Sequence, residues 1–311
     1  MVRKMYERVE SPCDGLNLDV LWTVPEGQVK GILQIHHGMA EYKERYLPFM
    51  EYMADQGVAA VIHDCRGHGK SVRSRSDLGY MYGQGGNGVI EDAHRITLLA
   101  KERYPGTPLA LLGHSMGSLA VRAYVRSYDQ DIELLVVCGS PAKNPLLGAG
   151  KLLAALEKRV YGPRHRAKLI EALTFGSYAR KFSGEKSRFA WCCSDSEVVA
   201  NYDASPLCGF TFTVDGYQAL FDLMEKTYTE DGWQCARPDL PVLFVAGRED
   251  PCIGGPSGFS QAIGHMKTVG YKNVRGKLYD GMRHEILNER EKGKVYENVA
   301  GFVLHGLKKT M

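Results

Sequence analysis

An α/β fold with a mostly parallel central sheet is what this sequence predicts, on three observations. Short, nearly continuous apolar runs recur along it, each bounded by Gly, Pro, Asn or Asp: Leu18–Val24, Gly31–His36, Val58–His63, Leu109–Leu112, Ile132–Cys138, Val242–Ala246 and Lys277–Tyr279. Runs of this kind suit strands covered on both faces. Between most of them lie helical patterns, at Arg45–Gln56, Val89–Arg103, Ser118–Ser127, Gly258–Lys267 and Leu287–Leu307. Alternating strands and helices build parallel sheets through crossover connections. The alternation stops once, between about residues 144 and 233, where no buried-strand pattern occurs.

That break sets the domain organisation. Residues 1–143 form the first part of a core, 144–233 a helical cap or lid, and 234–311 the second part of the core. In the cap, "AGKLLAALEKRVYG" places Leu152, Leu153, Leu156 and Val160 on one helical face, expected to pack over the sheet. Its Phe175, Phe182, Phe189 and Trp191, with Leu152, Leu156 and Leu169, are candidates for an acyl channel.

Composition narrows the function. The 311 residues are 44% apolar and 24% charged, with a net charge of +3. That balance is ordinary for a globular chain, and its weak field points away from a nucleic-acid partner. No apolar run reaches the length of a membrane span. "MVRKMYERVESPCDGLNLDV" has no apolar stretch behind its first basic residues, so a cytoplasmic setting is expected. Eight cysteines form no C-x-x-C pair and do not interleave with histidines at ligand spacing. They read as reduced thiols, with no metal site and no cofactor. Charge is uneven, however. Residues 143–188 hold eleven Lys or Arg against three Glu, a net of +8 that leaves the rest at −5. This is either a solvated helical face or a surface for transient contact with anionic lipid.

The chemistry centres on Gly113-His114-Ser115-Met116-Gly117, between a strand and a helix. A turn this tight has no room for flanking side chains, and it lifts the Ser115 hydroxyl above the sheet edge. It also sets the Met116 N–H at a helix N-terminus, where developing negative charge is favoured. A second oxyanion donor is required from the loop after an earlier strand; "HHGMA" offers the N–H of Met39. In the chain order Ser, acid, His, the base is His284 in "GKLYDGMRHEILNE". The acid lies in "GREDPC", where Asp250, its backbone restricted by Pro251, is favoured and Glu249 is the fallback. Asp280, in the same loop as His284, reads as structural.

Together "HHGMAEYKERY", "DCRGHGKS", "GHSMGS", "GREDPC" and "DGMRHEILNE" resemble the α/β-hydrolase fold, in its monoacylglycerol lipase and lysophospholipase branch, which overlaps with the serine aminopeptidase family. The resemblance is collinear from about Leu16 to Leu307. It implies Ser115, Asp250 and His284 as a triad, Met39 and Met116 as oxyanion donors, and the helical insertion as a variable lid. The expected activity is cleavage of a small-molecule carboxylic ester through an acyl-enzyme, with a monoacylglycerol, a lysophospholipid or a related acyl ester as substrate. Aminopeptidase or acyltransferase chemistry on the same triad, and a non-catalytic ligand receptor, are the competing readings.

Overall fold

The computed structural model describes residues 2–308. Its strands are β1 (Arg3–Glu10), β2 (Asn17–Val24), β3 (Gly31–His36), β4 (Val58–His63), β5 (Leu109–His114), β6 (Leu134–Cys138), β7 (Val242–Gly247) and β8 (Val274–Tyr279). They form one sheet in the order β1-β2-β4-β3-β5-β6-β7-β8. The β1–β2 and β2–β4 pairs are antiparallel and every other pair is parallel. The fold is therefore the mostly parallel α/β arrangement expected from the sequence.

The helices are α1 (Leu47–Asp55), α2 (Gly85–Arg103), α3 (Met116–Tyr128), α4 (Leu147–Tyr161), α5 (Lys168–Lys181), α6 (Ser196–Ala204), α7 (Val214–Tyr228), α8 (Gly255–Thr268) and α9 (Lys292–Lys308). Both faces of the sheet are covered. Alternate residues of one strand point to opposite layers: Leu111 belongs to the apolar layer that includes α2, α3 and α8, and Leu112 to the layer that includes α1 and α9. This explains why β3 to β7 read as unbroken apolar runs. Between β6 and β7 the segment is helical, and its α7 packs against α2 and α3.

Three features differ from the sequence reading. Strand β1 was not anticipated: "RKMYERVE" turns only Met5, Glu7 and Val9 inward, and Glu7 accepts a hydrogen bond from Trp22 Nε1 at 2.5 Å. A charged strand at a sheet edge carries a diluted apolar signal and resists further pairing. The last helix starts at Lys292, not Leu287; Ile286 and Leu287 are buried loop residues packed beneath the sheet. Finally, Leu152, Leu156 and Val160 of α4 face outward, each more than half exposed, while Ala154 and Glu157 make its buried side.

Candidate active site

The site stands at the carboxyl ends of β3, β5, β6 and β7, where loops leave the sheet for the helices. At the end of β5 the chain turns directly into α3, and Ser115 takes φ 55°, ψ −119° at the apex. A non-glycine residue there is strained, and such strain concentrates at functional sites. The sequence makes the turn possible by omission. A Cβ on Gly113 would overlap the Gly117 carbonyl oxygen, and one on Gly117 would overlap that of His36. Neither glycine is needed for a left-handed φ; both are needed for close backbone approach. The turn is tied to β6 by Ser115 N–H donating to Cys138 O at 3.0 Å.

His284 and Asp250 come together from separate loops. His284 Nδ1–H donates to Asp250 Oδ2 at 2.8 Å, and Cys252 N–H donates to Asp250 Oδ1 at 2.8 Å. Both side chains are buried, at 3% and 1% exposure. The bond fixes the tautomer, leaving Nε2 of the neutral ring free to accept a proton. Close packing under the ring comes from Gly139, at φ 55°, where a Cβ would lie 3.3 Å from His284 Cε1. Gly247 likewise lets the histidine loop cross β7, since a Cβ there would overlap the Met282 and Arg283 carbonyls. The fallback acid, Glu249, is exposed and makes no bond to His284. Asp280 is also exposed, paired with Arg248. Ser115 and His284 line one cavity, but no hydrogen bond of 3.5 Å or less joins the hydroxyl to the ring among the described residues. Such bonds tighten on substrate binding in many hydrolases.

The loop after β3, the candidate donor loop, is held from several sides. Ala40 takes φ 52°, and the preceding Met39 N–H meets no acceptor among the described residues. The Met116 N–H, first in α3, has no intrahelical acceptor. Around Met39, His37 Nε2 accepts from Cys65 N–H while its Nδ1–H donates to Gly38 O, both at 2.8 Å. His68 Nε2 accepts from Ala40 N–H at 3.1 Å, and its Nδ1–H donates to Arg66 O at 3.0 Å. Burial, with the neighbouring His37, pushes His68 down to about 3. His68 thus clamps one end of this loop.

Glu41 clamps the other end. Its carboxylate accepts from Gly38 N–H at 2.6 Å, Tyr46 Oη–H at 2.9 Å and Arg45 at 2.6 Å. Burial opposes its ionisation, but the bond from His114 and the charge of Arg45 outweigh that and hold Glu41 well below the usual carboxylate range. Burial likewise opposes charge on His114, yet Glu41 raises it; His114 donates to Glu41 at 3.3 Å and to His284 O at 3.2 Å. Arg45 also forks onto Glu285, next to His284, at 2.5 and 2.7 Å. The Glu41–Arg45–Glu285 chain joins the donor loop to the histidine loop across 240 residues of sequence. Sequence reading singled out none of the three; the one local signal is the i,i+4 spacing of Glu41 and Arg45.

A cavity of about 770 Å³ opens over Ser115. Its roof includes Leu146, Phe175, Tyr178, Trp191, Phe210 and Phe221, and the Trp191 ring lies 5.0 Å from His284. Of the proposed channel residues, Phe175, Phe189 and Trp191 line it. Phe182 instead stacks on Arg283, and Leu152, Leu156 and Leu169 face solvent. The reason is that α4 packs through its small face, leaving the leucine stripe outside. Asp250, Cys252 and His284 place ligand-type atoms within 4.8 Å of one another. The first and last are already hydrogen-bonded together, and burial pushes the Cys252 thiol well above its ordinary value. A metal there would have to displace the Nδ1 proton of His284 and the thiol proton of Cys252. All eight cysteines are free thiols, and no helix among the described residues is long and apolar enough to cross a membrane.

A family model described as Serine aminopeptidase, S33, matches residues 27–291. The chain is 28% identical over 288 residues to a monoacylglycerol lipase of Mycolicibacterium smegmatis, covering 92% of each. It is 21% identical to phospholipase YtpA of Bacillus subtilis, covering 91% of this chain and 98% of that one. Among solved structures, a thermostable carboxyl esterase from Bacillus coagulans superposes with a TM-score of 0.90 at 24% identity, over 99% and 100% of the two chains. That last likeness concerns the fold.

Proposed function

The chain belongs to the serine aminopeptidase, S33, family, and from that premise we propose that it is a carboxylic ester hydrolase acting on monoacylglycerols, lysophospholipids or related acyl esters. The observation that carries the reading is the His284–Asp250 bond beneath a cavity that also holds Ser115, strained at its turn. His284 Nε2 takes the Ser115 proton as Oγ attacks the ester carbonyl. The oxyanion is held by the N–H groups of Met39 and Met116. His284, protonated and steadied by Asp250, returns the proton to the departing alcohol. Water activated by the same ring then cleaves the acyl-enzyme. The segment 144–233 serves as the lid, its aromatic residues giving the acyl chain an apolar bed.

Aminopeptidase chemistry needs a carboxylate free to hold the substrate amine. Of the carboxylates lining the cavity, Glu41 and Glu285 are paired with Arg45. Glu171 accepts from Thr211 and lies 3.6 Å from Arg188. None is free for an amine, which favours esters.

The outward face of the lid suits a lipid surface. Among the described residues, Leu152, Leu156, Val160, Tyr161 and Leu169 are exposed there. They share the segment that carries the net charge of +8. An apolar stripe beside cations is the composition of an interfacial helix, and the free thiols suit a reducing, cytoplasmic setting. The deciding experiment is hydrolysis of p-nitrophenyl esters from acetyl to palmitoyl, then of 1-oleoylglycerol and lysophosphatidylcholine, by wild type and Ser115→Ala. Activity confined to wild type with a long-chain optimum supports the proposal. Equal activity in both proteins overturns the assigned nucleophile, and hydrolysis of aminoacyl amides in preference to esters overturns the substrate class.

A further inference from the structure

Behind the wall that supports His284 lies a buried cation without a counter-charge. Arg122 of α3 is fully buried, and among the described residues no carboxylate oxygen comes within 4.0 Å of it. Its Nη1–H donates to Ser140 Oγ at 3.2 Å. The guanidinium carbon sits 4.5 Å from the Tyr228 ring centroid and 5.5 Å from that of Phe244. Ring faces attract a cation, but they do not satisfy the N–H groups that point outward in its plane. Nε and Nη2, which share one edge of that plane, are both buried and meet no acceptor. Two parallel donors on a desolvated cation form the fork that grips anions.

The comparison one turn along is instructive. Arg126, also on α3 and also against the end of α7, gives its N–H groups to the carbonyls of Lys226, Thr229 and Asp231. Arg122 has no such carbonyls within reach. His265 of α8, 5.5 Å from the Tyr228 ring, has both ring nitrogens buried, and the Tyr228 backbone is its nearest hydrogen-bonding neighbour. Burial, then the charges of Arg122, Lys143 and Arg126, lower His265 to about 4. Neutral His265, with a ring N–H beside the Tyr228 carbonyl, supplies no counter-charge to Arg122. A buried unpaired charge is strongly unfavourable, so the fold needs a negative partner at this point.

We propose that the Nε/Nη2 edge of Arg122 is a binding site for a small monovalent anion, either chloride or a planar oxyanion of similar size. The site is built by α3, the end of β6 and α7. Its occupant neutralises Arg122 and so steadies the Gly139–Pro141 segment. That segment is held by the Arg122–Ser140 bond and by Tyr228 Oη–H donating to Pro141 O at 2.6 Å, and its Gly139 packs against His284.

The test is thermal unfolding of the full chain at pH 7.5 and constant ionic strength, with gluconate replaced stepwise by chloride, bromide, nitrate or formate up to 200 mM. Wild type should gain a saturable rise in Tm of roughly 2–4 °C with the preferred anion, and the order among the four separates spherical from planar ligands. Arg122→Met should lose the response. Crystals grown with bromide should show an anomalous peak beside Nε and Nη2. A flat Tm in every anion, or an equal rise in wild type and Arg122→Met, overturns the proposal. So does ordered water at that edge in crystals grown with whichever of bromide, nitrate or formate raises Tm most. Should Arg122→Met fail to fold, those wild-type crystals decide the matter alone.

Discussion

Helices α3 and α4 have similar lengths, 13 and 15 residues, and both carry regularly spaced apolar side chains. Their surroundings are opposite. Ten consecutive residues of α3, from Met116 to Val125, are buried beneath the Ser115 turn. In α4 only Ala154 and Glu157 are buried, and the leucine stripe points away from the protein. The contrast shows that periodicity identifies a helix and its apolar face, but not what that face meets. For α3 it meets the sheet; for α4, on the proposed reading, it meets lipid.

The largest test of this contrast is at the apex of α3. Ser115→Ala should lower kcat/KM by about 10⁴-fold or more while leaving Tm within a degree or two of wild type, read by ester hydrolysis and thermal melts. The next compares like with like. Leu119→Ala, at a fully buried position of α3, should cost about 2–4 kcal/mol in denaturant unfolding. Leu156→Ala in α4 should stay within about 0.5 kcal/mol, yet weaken binding to anionic vesicles. Equal losses of stability would mean that the α4 stripe is packed after all. Binding that ignores salt would leave its cations without a lipid role.

A smaller effect separates the two regions by pH. Burial drives His36 and His68 down to about 3, and His63 well below its ordinary value, all on the sheet side of the site. A histidine that stays neutral when folded but protonates near pH 6.5 when unfolded takes stability away as pH falls below 6.5, increasingly so until the folded value is reached. Tm should therefore fall steadily from pH 6.5 toward 4. His68→Gln should flatten that slope by on the order of 1 kcal/mol per pH unit, and a slope unchanged in the variant would mean that His68 is charged in the folded protein. Smallest is Ser115→Gly. Relief of the φ 55° strain should raise stability by about 1 kcal/mol in the inactive protein, and a loss of that size would show that the turn is not strained.

Much of this architecture was readable in the chain because it rests on local rules. Strands β3 to β7 announce themselves as apolar runs since both their faces are covered. The Ser115 turn is readable since only glycine fits at positions 113 and 117. His284 and Asp250 could be assigned addresses because loops at one sheet edge converge in a fixed chain order. Strand β1 escaped because its inward positions include Glu7, and the start of α9 was misplaced because Leu287 is a packed loop residue.

The sequence by itself determined the α/β rhythm, the helical interruption and the candidate nucleophile, since each depends on side-chain period or backbone sterics within a few residues, and it offered the candidate base and acid through the chain order of their loops. Only the tertiary structure decided which carboxylate meets His284, how Glu41, Arg45 and Glu285 join two distant loops, that the α4 stripe faces outward, and that Arg122 is buried without an acid. Those outcomes depend on which charges come within about 4 Å after folding. Separation along the chain carries no record of that distance.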